Sequence, residues 1–283
     1  MQGQYRTKPY LICVDSDGCV MDSMESKHRK FFCPLLIETW DLQANAALVT
    51  DTWMEINLYR DTRGINRFAG FALLLQTIGN KLTLPCSAAP ALQWIAQQKA
   101  PSHRQLEEDV RLHPTPALQR LYTWSCRVNN AIAQDDAPSH AFPGAAHCIS
   151  TLAQQADILV VSSANRLALE TEWRQENISK YTLALLGQDD GSKKQCIAAY
   201  KDAYAPDHVL MIGDAPGDFF AAQSNHILFY PIIAGREIQS WVQAQASLVH
   251  FFNGTYSGTF QNTQLSDFFH NLHSDMPTCK NKE

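Results

Sequence analysis

Tyr10-Leu11-Ile12-Cys13-Val14-Asp15-Ser16-Asp17-Gly18 is an unbroken apolar run that stops at two carboxylates and a glycine. A strand buried on both faces reads as a continuous apolar run rather than as an alternating one. The stretch therefore predicts an interior strand of a parallel sheet. Two carboxylates two residues apart at the end of such a strand repel each other and are costly to desolvate, so the pair points to a cation. An Asx-type turn needs only one of the two aspartates. In open α/β sheets, ligands bind in the crevice beyond the carboxyl ends of the strands. Gly18 permits a sharp exit that brings backbone close to a ligand.

Working outward, three similar runs come late in the chain: Ile158-Leu159-Val160-Val161, Val209-Leu210-Met211-Ile212, and residues 227–233. A weaker one covers residues 182–186. Helical patterns over residues 145–155, 166–176, 193–204 and 219–224 separate them. This alternation predicts an α/β fold, a Rossmann-like doubly wound parallel sheet with helices on both faces. Residues 24–140 read differently, with helical periodicity (Val49, Trp53, Ile56, Tyr59; Leu118, Leu121, Tyr122, Ser125, Val128, Ile132) and no strand pattern. Pro85, Pro90, Pro101, Pro114 and Pro116 punctuate that region. The expected organisation is an α/β core of residues 1–22 and 141–283 with an α-helical domain, residues 23–140, inserted after the first strand. From residue 271 the chain reads as a polar tail.

Composition narrows the class. The chain has 283 residues, 45% hydrophobic and 18% charged, as a globular protein does. A net charge of −5 excludes a strongly basic nucleic-acid binder, so no nucleic-acid partner is expected. No apolar run reaches the roughly 18–20 residues of a membrane span, and residues 10–14 are too short for a signal-peptide core. The eight cysteines form no CxxC pair. Reduced thiols and a cytoplasmic location are the expectation. The ten histidines show no metal-ligand spacing. Monomer and homodimer both remain open.

Three further stretches carry candidate chemistry. Gly213-Asp214-Ala215-Pro216-Gly217-Asp218 follows a buried run, with Asp214 where a carboxylate would meet a hard cation such as Mg²⁺. Asp218 stands equally well to cap the next helix. Ser162, after Val161, offers a hydroxyl to a phosphate oxygen, while capping by Ser163 or Asn165 explains the same residues. In Gly191-Ser192-Lys193-Lys194, Ser192 reads as an N-cap, which puts two lysines in a first helical turn against the helix dipole. A nearby anion would reverse that penalty, and two solvated lysines are the plainer reading.

Taken in order, these motifs resemble the haloacid dehalogenase superfamily, whose dominant members are Mg²⁺-dependent phosphatases. The resemblance covers about residues 9–22 and 141–233, and the helical insert looks like that family's type 1 cap, although longer than usual. It implies that Asp15 is the nucleophile and Asp17 the general acid and base. It also implies that the Asp17 carbonyl, Asp15 and Asp214 hold Mg²⁺, that Asp218 supports the metal, and that Ser162 and Lys193 bind the phosphoryl group. Lys193 fits better than Lys194 because Cys196, Ile197 and Tyr200 follow it on one helical face, as apolar residues follow the family's lysine. Asp17 points away from the family's dehalogenases, which lack that carboxylate, and from its transporting ATPases, which carry Thr.

The expected activity is hydrolysis of a small phosphorylated metabolite. A sugar-phosphate phosphomutase, a phosphonatase and a non-enzymatic phospho-accepting module of the receiver type are the alternatives. In the insert, Arg60, Arg63, Gly64, Asn66 and Arg67 resemble the Gly-containing basic cap loop of the family's sugar-phosphate mutases. That resemblance makes Arg63, Asn66 and Arg67 candidate substrate residues, with ordinary helix ends as the plainer reading.

Overall fold

The opening apolar run forms β1 (Tyr10–Val14), in which Leu11, Ile12, Cys13 and Val14 are wholly buried. The computed structural model of the chain describes residues 6–99, 101–135, 139–274 and 276. Two compact units emerge, one of Met1–Met24 with Pro138–Glu283 and one of Glu25–Ala137.

After β1 the chain enters its helical unit. α1 (Met24–Lys27) runs through a widened π-helical turn, His28–Phe32, into α2 (Cys33–Thr39). α3 (Ala46–Met54) runs through a second, Glu55–Tyr59, and α4 (Arg67–Ile78), α5 (Ala89–Gln97), α6 (His103–Leu112) and α7 (Pro116–Ala133) follow. Local chemistry sets these starts. Ser102 and Gln105 form a reciprocal capping box on α6, and Thr115 caps α7 with Pro116 in its first turn. Trp53 and Trp124, both fully buried, meet edge to face at 5.7 Å in the interior of this unit.

The α/β unit resumes with α8 (Ala145–Leu152), β2 (Ala156–Val161), α9 (Arg166–Gln175), β3 (Thr182–Leu186), α10 (Lys193–Lys201), β4 (Val209–Gly213), α11 (Pro216–Ser224), β5 (Leu228–Pro231), α12 (Glu237–Phe252) and α13 (Thr259–Asn271). The sheet has the order β3-β2-β1-β4-β5, and every pairing is parallel. Alternate residues of β1 feed two cores. Ile12 and Val14 pack with Cys148, Leu169, Trp173 and Trp241, from α8, α9 and α12. Leu11 and Cys13 pack with Ile197, Phe219 and Phe268, from α10, α11 and α13. The sheet is therefore covered on both faces, which is why its strands lack polar alternation.

α12 and α13 have no counterpart in the sequence reading. The polar tail expected from residue 271 lies mostly outside the described residues. Within them, Asn271 ends α13 and Leu272 is buried. The described cysteines carry free thiols, and Cys279 lies outside the described residues. No described helix is long and apolar enough to cross a membrane.

Candidate active site

β1 lies between β2 and β4, and the strand order runs outward from this pair in opposite directions. That is the topological switch point of a doubly wound sheet, where a crevice opens beyond the carboxyl ends. Asp15 follows β1 directly and Asp214 follows β4 directly. The Asp15 N–H donates to the Ile212 carbonyl at 3.0 Å, which extends the ladder one residue past β1. The first carboxylate is thus fixed by sheet geometry.

The loop after Asp15 is held from several sides. The Ser16 carbonyl accepts from the N–H groups of Cys19, Val20 and Met21 at 3.2, 2.9 and 2.9 Å. Gly18 has φ 78°, the left-handed region that a side chain would oppose, and its N–H closes on the Met21 carbonyl at 2.9 Å. The Trp173 indole donates to Ser16 Oγ at 2.9 Å, and that of Trp241 donates to the Cys19 carbonyl at 2.8 Å. The Ser23 hydroxyl donates to Asp17 Oδ1 at 2.5 Å and fixes that carboxylate.

On the β4 side, Asp218 sits in the first turn of α11. Its Oδ2 accepts from the N–H groups of Asp214 and Ala215 at 3.2 and 3.1 Å. Its Oδ1 accepts from Lys193 Nζ at 2.5 Å. Lys193 also reaches Asp15 Oδ2 at 2.8 Å, so one ammonium joins the ends of β1 and α11. Burial pushes the Asp15 carboxyl well above its ordinary value; Lys193 opposes this, and Asp218 and Asp214 add to it. Burial works against the charge on Lys193, but Asp15 and Asp218 outweigh it and hold its pKa above the ordinary lysine value. Ser162 begins where β2 ends, level with Ser16 in the register that pairs Val14 with Val160. Its hydroxyl accepts from the Ala164 N–H at 3.1 Å.

Asp15, Asp214 and Asp218 are all buried and bring one carboxylate oxygen each within 4.8 Å of the others. Three carboxylates against one ammonium leave a formal charge of −2. An all-oxygen donor set of that charge suits a hard divalent cation. Both oxygens of Asp218 already accept hydrogen bonds, so Asp15 and Asp214 are the better placed pair for direct ligation.

No protein-family model and no curated protein sequence matches this chain. Solved structures do. A candidate haloacid dehalogenase-like hydrolase from Bacteroides fragilis superposes with a TM-score of 0.52 at 16% identity, covering 82% of this chain and 93% of that one. The chain has the haloacid dehalogenase-like fold. A candidate phosphoglycolate phosphatase from Lactobacillus delbrueckii subsp. bulgaricus aligns with a TM-score of 0.51 at 13% identity, over 84% of this chain and 91% of that one.

Within this haloacid dehalogenase-like fold, the two lysines of α10 part company. Lys193 is inserted between two carboxylates, whereas Lys194 is exposed. Lys193→Met is expected to cost about 3 kcal/mol, since it leaves two buried carboxylates without their cation. It should also lower any phosphate-transfer rate by at least about 100-fold. Lys194→Ala should stay within about 0.5 kcal/mol of wild type. Thermal unfolding and turnover of both variants check this.

The cap-loop candidates lie in the helical unit, where each has a local task. Three groups close over the widened end of Glu55–Tyr59. Thr62 Oγ1 donates to the Ile56 carbonyl at 2.6 Å, the Gly64 N–H to that of Asn57 at 3.2 Å, and Arg63 Nη1 to that of Leu58 at 2.8 Å. Asn66 caps α4 through the Phe68 N–H at 3.0 Å. Arg67 Nη1 donates to Asn129 Oδ1 at 2.7 Å. Sequence reading missed Ser23, Trp173 and Trp241 as holders of the Asp15 loop. Ser23 stands within the first motif, but the tryptophans come from α9 and α12, far along the chain, and carried no signal.

Proposed function

We propose that this chain is a Mg²⁺-dependent phosphatase that hydrolyses a small phosphorylated metabolite through an aspartyl-phosphate on Asp15. The observation that carries this reading is Lys193, held between Asp15 and Asp218 at the switch point of the sheet. Phosphoryl transfer asks mainly for positioning and charge neutralisation, and these residues supply both.

A carboxylate oxygen of Asp15 attacks phosphorus as the ester P–O bond breaks. Asp17, oriented by Ser23, gives its proton to the leaving oxygen. Asp17 then takes a proton from the water that attacks the aspartyl-phosphate, which releases phosphate and restores Asp15. Lys193 and the Ser162 hydroxyl donate to the equatorial phosphoryl oxygens. Asp15, Asp214 and the Asp17 carbonyl would hold Mg²⁺, which supplies positive charge that keeps Asp15 ionised and screens the phosphoryl oxygens. Asp218 positions Lys193 and the turn after β4.

Release of inorganic phosphate from p-nitrophenyl phosphate and from a panel of phosphorylated metabolites tests the reading. Turnover is expected with Mg²⁺ and not with EDTA. No release from any of them overturns it, and isomerisation of a sugar phosphate faster than its hydrolysis replaces it with a mutase.

A further inference from the structure

Residues 238–266 hold no Asp, Glu, Lys or Arg, and neither do residues 139–156, in a chain that is 18% charged. The fold brings the main helices of these two stretches together. α8 and α12 pack beside each other on one face of the sheet, with Cys148, Ile149, Trp241, Ala244 and Leu248 in a common core. Their outward sides make one surface, on which α8 exposes His147 and Thr151 and α12 exposes Gln239, Gln243, Gln245 and His250. Glu237 borders it at the start of α12, where its Oε1 accepts from the Gly235 N–H at 2.9 Å.

Ile238, Val242 and Val249 also stand on that outward side, 49%, 67% and 53% exposed. Steps of four and seven residues set them in one row along α12, with Gln245 in the gap between the last two. Single exposed apolar side chains are ordinary, but a row of them inside a charge-free surface has the composition of an interface centre.

Two features select the occupant. The chain has a net charge of −5, so two copies meeting through an ordinary face would set like charges together, and this face carries none of that charge. A two-fold contact also lays a patch against itself, so its polar groups must bond their own kind. Glutamine amides, hydroxyls and neutral imidazoles each donate and accept, whereas carboxylates only accept and ammonium and guanidinium groups only donate. His147, Thr151, His250 and the three glutamines are all of the first sort. A partner with a charged surface finds no counter-charge here. α12 and α8, with 16 and 8 residues, present about 24 and 12 Å of helix, each roughly 10 Å wide. Two copies would bury on the order of 800 Å² or more, the size of a weak, reversible pair.

We infer that the α8–α12 face is a dimerisation surface, on which a second copy of this chain docks about a two-fold axis near Val242 and Gln245. The surface uses no residue of the aspartate site, so it does not depend on the phosphatase reading.

Sedimentation velocity of the full chain from about 1 to about 200 µM reads this, with a reversible monomer–dimer equilibrium in the micromolar range expected. Val242→Lys and Val242→Glu each set like charges across the axis and should raise the Kd by at least about 100-fold. Mixing the two variants should restore the dimer, because lysine of one copy then faces glutamate of the other. Val242 is mostly exposed, so both variants should keep the wild-type fold by circular dichroism. Leu167→Glu puts a charge at another exposed apolar side chain, on α9, and should leave the Kd unchanged. Flotation with phosphatidylcholine vesicles tests a lipid surface as the occupant, and the chain should stay unbound. A wild type that is monomeric throughout, a dimer kept by both Val242 variants or lost equally in Leu167→Glu, no reassembly on mixing, or capture by the vesicles overturns the inference. Phosphate release plays no part in these readouts, so the two readings fail separately.

Discussion

Asp15→Asn is expected to lower phosphate release by at least about 1,000-fold while leaving the chain folded and, without metal, more heat-stable than wild type. Loss of the nucleophilic oxygen accounts for the first effect. The second follows from the site's charge. The Asp15 carboxyl is raised on folding by burial and by Asp218 and Asp214, against the pull of Lys193. A group raised in this way contributes stability that is fully present below its unfolded pKa, near 3.8, and lost as pH rises through the folded value. Above that range the wild type carries a destabilising carboxylate that asparagine removes. Lys193 keeps Asp218 as a partner in the variant. Melting curves of both proteins between pH 4 and 8, with and without Mg²⁺, check this. The wild type should gain stability from Mg²⁺ and the variant should gain little. A variant that melts below wild type in metal-free buffer at neutral pH would mean that Asp15 serves the fold, and wild-type turnover would remove it as the nucleophile.

Gly213→Ala should destabilise the chain by about 3 kcal/mol or more and take the activity with it. A Cβ on Gly213 would stand 2.4 Å from the Asp218 Cβ and 2.5 Å from its Cγ and Oδ2. Asp218 cannot swing aside cheaply, because two backbone N–H groups and Lys193 hold both of its oxygens. Any movement that makes room uncaps α11 and draws Lys193 from Asp15. Gly217→Ala is the control. A Cβ there meets nothing within 4 Å, and alanine favours the first turn of α11, so stability should hold or rise by about 0.5 kcal/mol. Chemical denaturation of the two variants separates the contact from a general effect of adding a methyl group near the site.

The parts legible in the sequence were those whose cause is local. β1 and β4 read as strands because burial on both faces removes polar alternation. Ser192 read as a cap because a serine directly precedes a helical pattern, and in the structure Gln195, three residues on, completes a capping box with it. Asp15 and Asp214 were marked by their place at strand ends. α12 was not legible, because its buried Trp241, Ala244, Leu248 and Phe251 alternate with exposed Ile238, Val242 and Val249, which blurs the apolar stripe. The double use of Asp218, as cap and as Lys193 partner, was only half legible. Its capping spacing shows in the sequence, whereas the ion pair depends on β1, α10 and α11 meeting. Arg63 and Asn66 were legible only as two alternatives, ligand groups or ordinary helix ends, because a basic, glycine-containing loop has both meanings, and the closure of Arg63 over a widened helix end leaves no separate trace in the sequence.

The insertion after β1 also bears on how the chain is made. Tyr10 pairs with Ala156 and Leu11 with Val209, so the central strand emerges first and must wait for both neighbours. At about 5–20 residues per second, roughly 7–28 s separate synthesis of β1 from that of β2, the first of its neighbours to be made. Throughout that interval a wholly apolar strand has no partner, while Glu25–Ala137, dominated by local helical contacts, can complete its own fold. Nascent chains that stop before residue 156 are therefore expected to hold a folded helical unit and an exposed, aggregation-prone Tyr10–Val14 segment, the form of this protein with most need of a chaperone.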